Sequence, residues 1–456
     1  MSNSLPSPSK MRIDEVTLTS YDGRVSERID LLVTEINFSQ SIEAAAYNGS
    51  IKITDNVGML EDFPIRGEER LTIVLSSNDT DTKKTLDLQV YKADNITIND
   101  ANDGLGYYLH FVSRISFEAS KRRIVEPIRD GTFYPSASGM VKKIFKKYFS
   151  PISDNNAISL PFAGQRYGIG NTERSFIVQP TEGQLNGIIP NYSPTEAMYF
   201  LSTRAYVSGQ GFTSCSFRFF ETLDDFYFVS DEYLISYANR QNEILKLVYA
   251  PQISKDPRDI TQQILSVEKI HYPNRVDTAD DMYSGGYMNR VIEIDLTRRT
   301  VNSLDSQHFS YLDNANFLDM NGAPHTPESY IHTEKFTRDT FTRENAKRYI
   351  VFKDYSSAGS VPSALNSDQF IRNIIQQRTS YNHHINSTAI NVSLRGRLDI
   401  KPGSVVNLEI QELNSKSNRS KNRQLSGNYL VHTANHSIQL EELKTNLRLI
   451  KYDWST

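Results

Sequence analysis

Cysteine is almost absent from this chain: Cys215 is the only one among 456 residues. A single cysteine excludes an internal disulfide and any metal site built on several thiolates. Cys215 lies in the apolar run FTSCSFRFF, which predicts a small buried core residue. A chain without disulfides is typical of a reducing compartment.

Long hydrophobic runs are also missing. No stretch approaches the roughly 18 consecutive apolar residues that a membrane span needs. The N-terminus MSNSLPSPSK is polar and lacks the apolar centre of a signal peptide. We therefore expect a chain that folds in a cytoplasm, unless another machine exports it, and that does not insert into a membrane.

A surplus of positive charge is lacking as well. The chain has 50 Lys and Arg against 54 Asp and Glu, a formal net charge of -4 at pH 7. Proteins that wrap nucleic acid usually carry a strongly basic face or tail. This composition excludes such a footprint but allows DNA to pass transiently along a neutral or acidic surface.

Catalytic signatures are not found. There is no GxSxG elbow, no HExxH and no Cys/His arrangement. The GIG of Gly168 to Gly170 lacks the further glycine or the Lys-Ser/Thr of a nucleotide-binding loop. Asp224–Asp225 and Asp280–Asp281 are alternatives as a hydrolytic carboxylate pair, although adjacent loop acids are usually solvated. We predict no enzyme activity, no catalytic residues and no cofactor.

The histidines do not suggest a metal site. His383 and His384 are adjacent, so they do not point together on a helix. His432 and His436 lie near an apparent turn, TAN, without an acidic or cysteine ligand close by in the sequence. We expect both to be surface or hairpin residues, and we predict no bound metal.

Aromatic residues, in contrast, are frequent. They form 11% of the chain, with 25 Tyr and 22 Phe, and such side chains fit the pleated surface of sheets. The length suggests roughly two to four domains. The composition therefore predicts an α+β fold that is predominantly β.

The first part of the chain has the pattern of a separate antiparallel β-domain. After a disordered N-terminus at 1–10, residues 11–118 contain runs such as RLTIVL, TLDLQVY and YLHFVSRISF that alternate with a period near two. Glycine, proline and the turn signals DNVG and NDANDG separate these runs.

Residues 119–240 read as a mixed α/β domain. YPSASGMVKKIFKKYF is amphipathic, with lysines on one helical face. Such a helix either covers a core, which we favour, or binds a membrane or an acidic partner. In NYSPTEAMYFLSTRAYV, Ser193, Pro194 and Glu196 predict a capping box with a proline start. Strands are predicted at SFRFF and FYFVS.

The last part returns to strands. Residues 241–300 contain a predicted helix, DPRDITQQILSVEKI, and a predicted strand, GYMNRVIEIDL. Residues 301–365 read as a polar insertion with weak secondary structure. Ser367 is predicted to cap a helix in SDQFIRNIIQQRTSYNHH, and strands follow in AINVSLRG, SVVNLEI, SGNYLVHTANHSI and TNLRLIKY. Residues 241–300 and 366–456 are thus predicted to form a second β-domain with an adjoining helix.

Two distant stretches share a plan. GRLDIKPGSVVNLEI, at 396–410, and NGSIKITDNVGMLEDFPIRGEERLTIVL, at 48–75, both end in a glycine turn followed by an alternating strand. The apolar residues are spaced differently after the two glycines. Leu71, Ile73 and Leu75 lie four, six and eight residues after Gly67, whereas Val406, Leu408 and Ile410 lie three, five and seven residues after Gly403. This offset indicates either a bulge or unrelated strands.

In the order of these segments, over roughly 10–450, the chain resembles the central baseplate hub protein of contractile-tailed bacteriophages. The resemblance implies two tube-type antiparallel β-barrel-like domains, a homotrimer, and a ring of six similar domains. In such a hub, Gly49, Gly67, Pro402 and Gly403 would be structural turn residues of the tube-type domains.

The resemblance also implies partners and a place. The chain would join a trimeric spike to the sixfold tail tube or its initiator proteins, contact other baseplate proteins, and form part of the channel for transient DNA passage. It would reside in the virion, in the tail baseplate, after assembly in the host cytoplasm. The alternatives are the hub of a bacterial contractile injection system and, with less support, a carbohydrate-binding or glycan-hydrolysing tail protein.

Overall fold

The computed structural model describes most of the chain in detail. The described residues are 11–63, 65–77, 83–99, 104–129, 135–150, 152–159, 164–170, 172–185, 189–209, 212–241, 244–249, 266–273, 288–295, 299–307, 347–352, 378, 389–411, 422 and 425–451. Among them strands predominate over helices, which confirms the predicted α+β, predominantly β class.

The N-terminal block consists of seven strands and two short helices. A 3-10 turn at Asp30–Leu32 precedes the third strand. The strands are β1 (Met11–Thr19), β2 (Ser26–Arg28), β3 (Val33–Ser41), β4 (Asn48–Asp55), β5 (Arg70–Ser77), β6 (Lys83–Asn99) and β7 (Gly104–Ser113), and the helices are α1 (Met59–Asp62) and α2 (Arg114–Ser120).

The middle segment mixes helices with a five-stranded sheet. The strands of this sheet are β8 (Ile152–Ser159), β9 (Gln165–Ile169), β10 (Ser175–Val178), β13 (Phe217–Glu221) and β14 (Asp225–Ser230). A separate two-stranded sheet consists of β11 (Val207–Gly209) and β12 (Phe212–Ser214). The helices of this segment are α3 (Ala137–Ile144), which continues as a π-helix over Phe145–Phe149, α4 (Pro194–Ser202) and α5 (Asp231–Gln241).

The last part of the chain supplies nine strands. They are β15 (Leu245–Tyr249), β16 (Val267–His271), β17 (Met288–Asp295), β18 (Thr300–Gln307), β19 (Lys347–Phe352), β20 (Ala389–Arg395), β21 (Val405–Ile410), β22 (Gly427–Gln439) and β23 (Glu442–Lys451). β17, β18 and β19 form a separate three-stranded sheet. The other six belong to the C-terminal block.

Five strands of each β-block have the same connectivity, whereas the next strand is antiparallel in the first block, β1 on β5, and parallel in the second, β15 on β21. In the N-terminal block β4 pairs with β7, β7 with β6, and β6 with β5, all antiparallel. In the C-terminal block β20 pairs with β23, β23 with β22, and β22 with β21, again antiparallel. A preceding strand flanks each set, β3 on β4 and β16 on β20. The repeated stretches in the sequence therefore belong to a repeated architecture.

Irregularities in the strands recur at matching positions. The pairing of β3 with β4 slips after Val33, and the pairing of β16 with β20 slips after Val267. β6 is bulged after Val90, as β22 is after Val431. Because bulges shift the register of all the side chains that follow, their recurrence makes the strands correspond residue by residue as far as Asp94. Beyond it β6 has a further bulge, between Asp94 and Thr97, that β22 lacks.

This equivalence explains the one-residue offset after the two glycines. The amide of Val90 donates to the Glu69 carbonyl oxygen at 2.9 Å, and the amide of Val431 donates to the Ser404 carbonyl oxygen at 2.9 Å. Glu69 is two residues after Gly67, whereas Ser404 directly follows Gly403. One extra residue in the first turn therefore accounts for the offset, and the strands themselves correspond.

One ladder joins the two blocks. β3 pairs with β4 on one side and, antiparallel, with the second half of β22 on the other, from Ser41 opposite Thr433 to Glu35 opposite Gln439. Thirteen strands thereby form one continuous sheet. A single bridge between Val248 and Ser266 brings β15 beside the start of β16, and the rest of β16 has no ladder on that side within the described ranges.

The middle segment has its own aromatic core. Phe145, on the π-turn after α3, stacks on Phe176 with ring centroids 4.0 Å apart and meets Phe226 edge-on at 5.0 Å. The lysines of this helix lie outside the core, so the helix covers a core as predicted. The predicted capping box of α4 is present, with the Ser193 hydroxyl accepting from the Glu196 amide. The strands predicted at SFRFF and FYFVS are also confirmed.

Three predicted elements differ from the structure. YLHFVSRISF does not continue as a strand, because β7 ends at Ser113 and α2 begins at Arg114, where Ser116 and Ala119 become buried. The end of DPRDITQQILSVEKI is a strand, β16, because it pairs with β20. The stretch 301–365 has regular structure at both ends of its described part, since β18 and β19 flank β17.

Some predictions fall on residues outside the described ranges. These are the disordered N-terminus predicted at 1–10, the beginning of DPRDITQQILSVEKI, the pair Asp280–Asp281, His383 and His384, and the helix after Ser367, of which the structure describes only Arg378. Within the described ranges, no helix has the length and apolar character to cross a membrane.

Candidate functional site

Two of the residues predicted as turns occupy equivalent turns. Gly67 has φ +88 and Gly403 has φ +85, a conformation that side chains disfavour. The Gly67 turn is closed by the Glu69 carboxylate, which accepts from the amides of Arg66 at 2.6 Å and Gly67 at 2.9 Å. At the other turn the Gly403 amide donates to the Val431 carbonyl oxygen at 2.8 Å.

The Pro402–Gly403 turn also meets the middle segment. A Cβ on Gly403 would lie 3.2 Å from the side chains of Leu234 and Phe220. Pro402 itself is buried. This turn therefore shapes the contact between the C-terminal block and the middle segment, in addition to reversing the chain.

Gly49 lies inside β4, not in a turn. It pairs with Phe111 of β7 and Phe38 of β3. A Cβ at this position would overlap the Asn37 carbonyl oxygen and would lie 2.6 Å from the Phe111 ring. Close approach of three strands, not backbone reversal, requires glycine here.

The middle segment is attached to the N-terminal block by a buried carboxylate. Glu221, at the end of β13, accepts from the hydroxyls of Ser113 at 2.5 Å and Ser116 at 2.6 Å, and from the Arg174 guanidinium at 2.7 Å. Its side chain is fully buried. Burial raises the pKa of Glu221 above its usual value, while the Arg174 charge and the two hydroxyls oppose this rise. Burial likewise raises the pKa of Tyr47 beside this group.

A second acidic group joins all three parts of the chain. Asp224, in the turn between β13 and β14, accepts from Lys84 of β6 at 2.8 Å and lies 3.5 Å from Lys401, next to the Pro402 turn. Its neighbour Asp225 is buried and accepts from Arg166 at 3.1 Å. Burial disfavours the charged form of Asp224, but the two lysines prevail and lower its pKa.

A third group lies at the seam where β3 meets β22. Glu43 contacts His432 of β22 at 3.3 Å and Arg218 of β13 at 3.2 Å. Arg218 also pairs with the buried Asp231 at 2.9 Å. The His432 hydrogen bond, with help from the nearby charges and against partial burial, lowers the pKa of Glu43 to about 2.

Together these three polar groups form a junction, which we define by Glu221, Asp224 and Glu43 with their cationic partners. Each carboxylate already accepts from cations or hydroxyls of another segment. Such an arrangement favours one relative placement of the segments. The effect is largest at Glu221, which is fully buried, because removing Arg174 would leave its charge unpaired; Asp224 and Glu43 are more exposed and contribute less. The sequence singled out Asp224 and Asp225 only as acids and gave no signal for Glu221 or Glu43.

The histidines differ from expectation. His432 and His436 lie within β22, not at a turn, and both are buried. They are buried because the second half of β22 has β23 on one side and β3 on the other. His436 packs on Phe38 at 4.8 Å, and its Nδ1 lies 3.1 Å from the Thr445 hydroxyl. Burial, with the charge of Lys84, lowers its pKa to about 3.

Replacing His436 by glutamine, which does not titrate, is expected to make the free energy of unfolding depend less on pH in the acid range. The unfolded imidazole has a pKa near 6.5, so its stabilising contribution is present above that pH and is lost as pH falls toward 3. Between pH 7 and pH 5 the free energy of unfolding should fall by about 2 kcal/mol less in His436→Gln than in the parent. Urea unfolding of parent and variant at the two pH values measures this difference. Parallel losses in parent and His436→Gln would contradict a neutral buried His436.

Other candidate groups have structural positions. Cys215 is buried, as predicted. The GIG stretch lies at the end of β9, where the chain turns back toward β10 and the Ile169 amide donates to the Arg174 carbonyl oxygen. In the described part of the chain, no group of three His, Cys, Asp or Glu side chains is placed to hold a metal ion.

No protein-family model matches this sequence, and no curated protein matches it either. Solved structures do. A 43 kDa tail protein of prophage MuSo2 from Shewanella oneidensis aligns with TM-score 0.50 and 9% identity, covering 97% of this chain and 99% of that one. A tail protein from Neisseria meningitidis aligns with TM-score 0.49 and 9% identity over 97% of this chain and 98% of that one.

A third similar structure comes from E. coli, a protein described as a component of the type VI secretion system with structural similarity to bacteriophage tail proteins. It aligns with TM-score 0.40 and 10% identity, covering 97% of this chain and 77% of that one. The Shewanella match shows that the chain has the fold of a phage tail protein over nearly its whole length. The predicted resemblance to a phage tail protein is thereby confirmed at the level of the fold.

Proposed function

We propose that this chain is a structural component of a phage tail baseplate, a trimeric hub that joins a trimeric spike to the sixfold tail tube. The observation that supports this role most directly is the pair of β-blocks that share the connectivity of five strands in a single chain. Three copies of a chain with two similar blocks present six similar blocks. Such a trimer can therefore match a threefold partner on one side and a sixfold partner on the other.

The junction supports the same role. A connector between a spike and a tube transmits force, so its blocks must keep a fixed relative placement. The β3–β22 ladder and the three polar groups tie the N-terminal block, the middle segment and the C-terminal block together. In this proposal Gly49, Gly67, Pro402 and Gly403 have structural parts only.

The proposed partners follow from the hub role. The threefold side faces the spike, the ring of blocks faces the tube or its initiator proteins, and DNA passes transiently through the centre. A net charge of -4 suits such a channel, because sticky phosphate contacts would slow transit. No catalytic activity, cofactor or metal is part of this proposal, and the chain acts in the virion after assembly in the host cytoplasm.

The mass and symmetry of the purified protein test this proposal. Light scattering should give three times the 52.0 kDa chain mass, and negative-stain averages should show a ring of six similar lobes around a hole. A chain that stays monomeric at its highest soluble concentration, even with a spike protein from the same gene cluster, would contradict the hub role.

A further inference from the structure

One strand edge in the N-terminal block lacks the partner that its counterpart has. The first half of β22 pairs with β21 and its second half pairs with β3. The first half of β6 pairs likewise with β5, from Lys83 to Gln89. From Tyr91 to Asn99, however, β6 has β7 on one side and, within the described ranges, no strand on the other. A second bulge interrupts this half between Asp94 and Thr97, where Asn95 has φ +53.

This free half of β6 is open at its surface. Tyr91 and Ile96 are 46% and 55% exposed, and Thr97 is exposed as well. A long unpaired edge invites pairing with another chain, so proteins normally cover it. The equivalent edge on β22 is covered by β3 of the same molecule.

The strand equivalent to β3 is the natural occupant. β16 flanks β20 as β3 flanks β4, with the same slip in register, so Asn37 corresponds to His271 and Ile36 to Ile270. Lys269 and His271 are exposed, and described residues other than Ser266 form no ladder with the outer edge of β16. β16 sits in its own block, far along the same sheet from β6, so one chain does not pair the two.

We infer that Lys269–His271 of β16 in one copy pair, antiparallel, with Thr97–Asn99, the end of β6 beyond its second bulge, in a second copy. The β3–β22 ladder gives the register. Asn37 lies opposite Ser437, and Ser437 corresponds to Thr97 through the matching ladders with β23 and β7. His271 is therefore opposite Thr97 across the two copies, and Lys269 is opposite Asn99.

The contact is head to tail. Each copy has one β16 edge and one β6 edge, so each copy binds one neighbour through β16 and another through β6 until the ring closes. Within a copy the blocks are joined by β3 on β22, and between copies by β16 on β6, so each seam of the ring joins equivalent strands, with a shorter ladder between copies. The closure at three copies rests on the proposed function, whereas the pairing of the edges does not.

Cysteine cross-linking tests the register. Residues directly opposite in an antiparallel pair have Cα atoms about 4.5–5.5 Å apart, within the range of a disulfide. The native Cys215 is buried and does not compete. Oxidising Thr97→Cys mixed with His271→Cys should give a covalent dimer, and the double variant should give a closed ring with no free engineered thiol. Peptide mapping identifies the linked residues.

The chain contains its own positive control. Asn37→Cys with Ser437→Cys should link within one molecule under the same conditions, because these residues already face each other across β3 and β22. Each single variant alone should remain unlinked, since the contact joins unlike edges. Melting curves matching the parent establish that every variant is folded.

The outcomes separate this inference from the hub proposal. A trimer in solution that does not link Thr97→Cys to His271→Cys, while the control links, would overturn the β16–β6 pairing and leave the hub. Thr97→Cys linking to itself would show like edges meeting, and would also overturn it. No oligomer and no link would contradict the pairing and the trimer together. Linked copies that close at a number other than three would support the pairing and contradict the hub.

Discussion

Replacing Arg174 by methionine is expected to lower the free energy of unfolding by about 3–5 kcal/mol, the usual loss when one partner of a buried ion pair is removed. Arg174 donates to Glu221 at 2.7 Å and to the Thr222 carbonyl oxygen at 2.8 Å, and its guanidinium lies 4.5 Å from the Phe226 ring centroid. Without it, the fully buried Glu221 keeps only two neutral hydroxyl donors.

The pH dependence of this loss identifies its cause. In Arg174→Met the pKa of Glu221 rises further above its unfolded value, near 4.3, because burial is no longer opposed by a cation. A raised folded pKa stabilises the fold below the unfolded value and costs stability as pH rises above it. The free energy of unfolding of the variant should therefore fall furthest below that of the parent at neutral pH, and least near pH 4.

Urea unfolding at the two pH values measures this effect, with two matched variants. Arg174→Met with Glu221→Leu removes both charges and should recover part of the loss, because no unpaired charge stays buried. The Ser113 and Ser116 hydroxyls lose their Glu221 acceptor, so recovery is incomplete. Lys147→Met removes the cation of an exposed pair with Glu126 and should leave the unfolding midpoint unchanged. A pH-independent loss in Arg174→Met would point to packing against Phe226 as the cause.

The second large effect is expected at Gly49. Gly49→Val should destabilise the protein by about 3 kcal/mol or more, at the upper end of overpacking costs, because backbone and side-chain atoms both occupy the space. The Asn37 carbonyl oxygen, the Phe38 Cα at 2.8 Å and the Phe111 ring at 2.6 Å surround the missing Cβ. β4 lies between β3 and β7, so any shift disturbs both neighbouring ladders.

Thermal unfolding of Gly49→Val is the measurement, and Gly23→Val is its control. Gly23 has φ +71 but no atom within 4 Å of its Cβ position, so only the backbone penalty of roughly 1–2 kcal/mol applies there. Adding Phe111→Leu should not rescue Gly49→Val, because the overlap with the Asn37 backbone persists. Rescue would show that the aromatic ring alone requires glycine at this position.

Local signals were sufficient where the chain decides its own structure. Ser193, Pro194 and Glu196 satisfy the first turn of α4 with groups three residues apart, so the capping box was predictable from sequence. The alternation in β21 and β22 and the glycine turn at Gly403 were visible for the same reason. Each of these features needs only neighbouring residues to satisfy backbone or burial.

The helix α2 and the position of Gly49 were not visible, because distant segments decide them. The residues after Ser113 continue a strand pattern, yet they form a helix in which the Ser116 hydroxyl donates to Glu221, more than a hundred residues away in the sequence. Gly49 resembles a turn glycine in sequence, and its requirement comes from Asn37 and Phe111 on the two flanking strands. Alternating apolar residues and turn residues predict local structure only, because they do not depend on contacts between residues far apart in the sequence.

The sequence by itself determined a predominantly β chain with capped helices, glycine turns and a repeated strand plan, because periodicity and local hydrogen bonding are written in adjacent residues. The tertiary structure alone decided that β3 crosses to β22, that His432 and His436 are buried, and that Glu221, Asp224 and Glu43 tie the segments together. These features depend on which strand lies beside which, and on charges that become costly only after burial removes water from them.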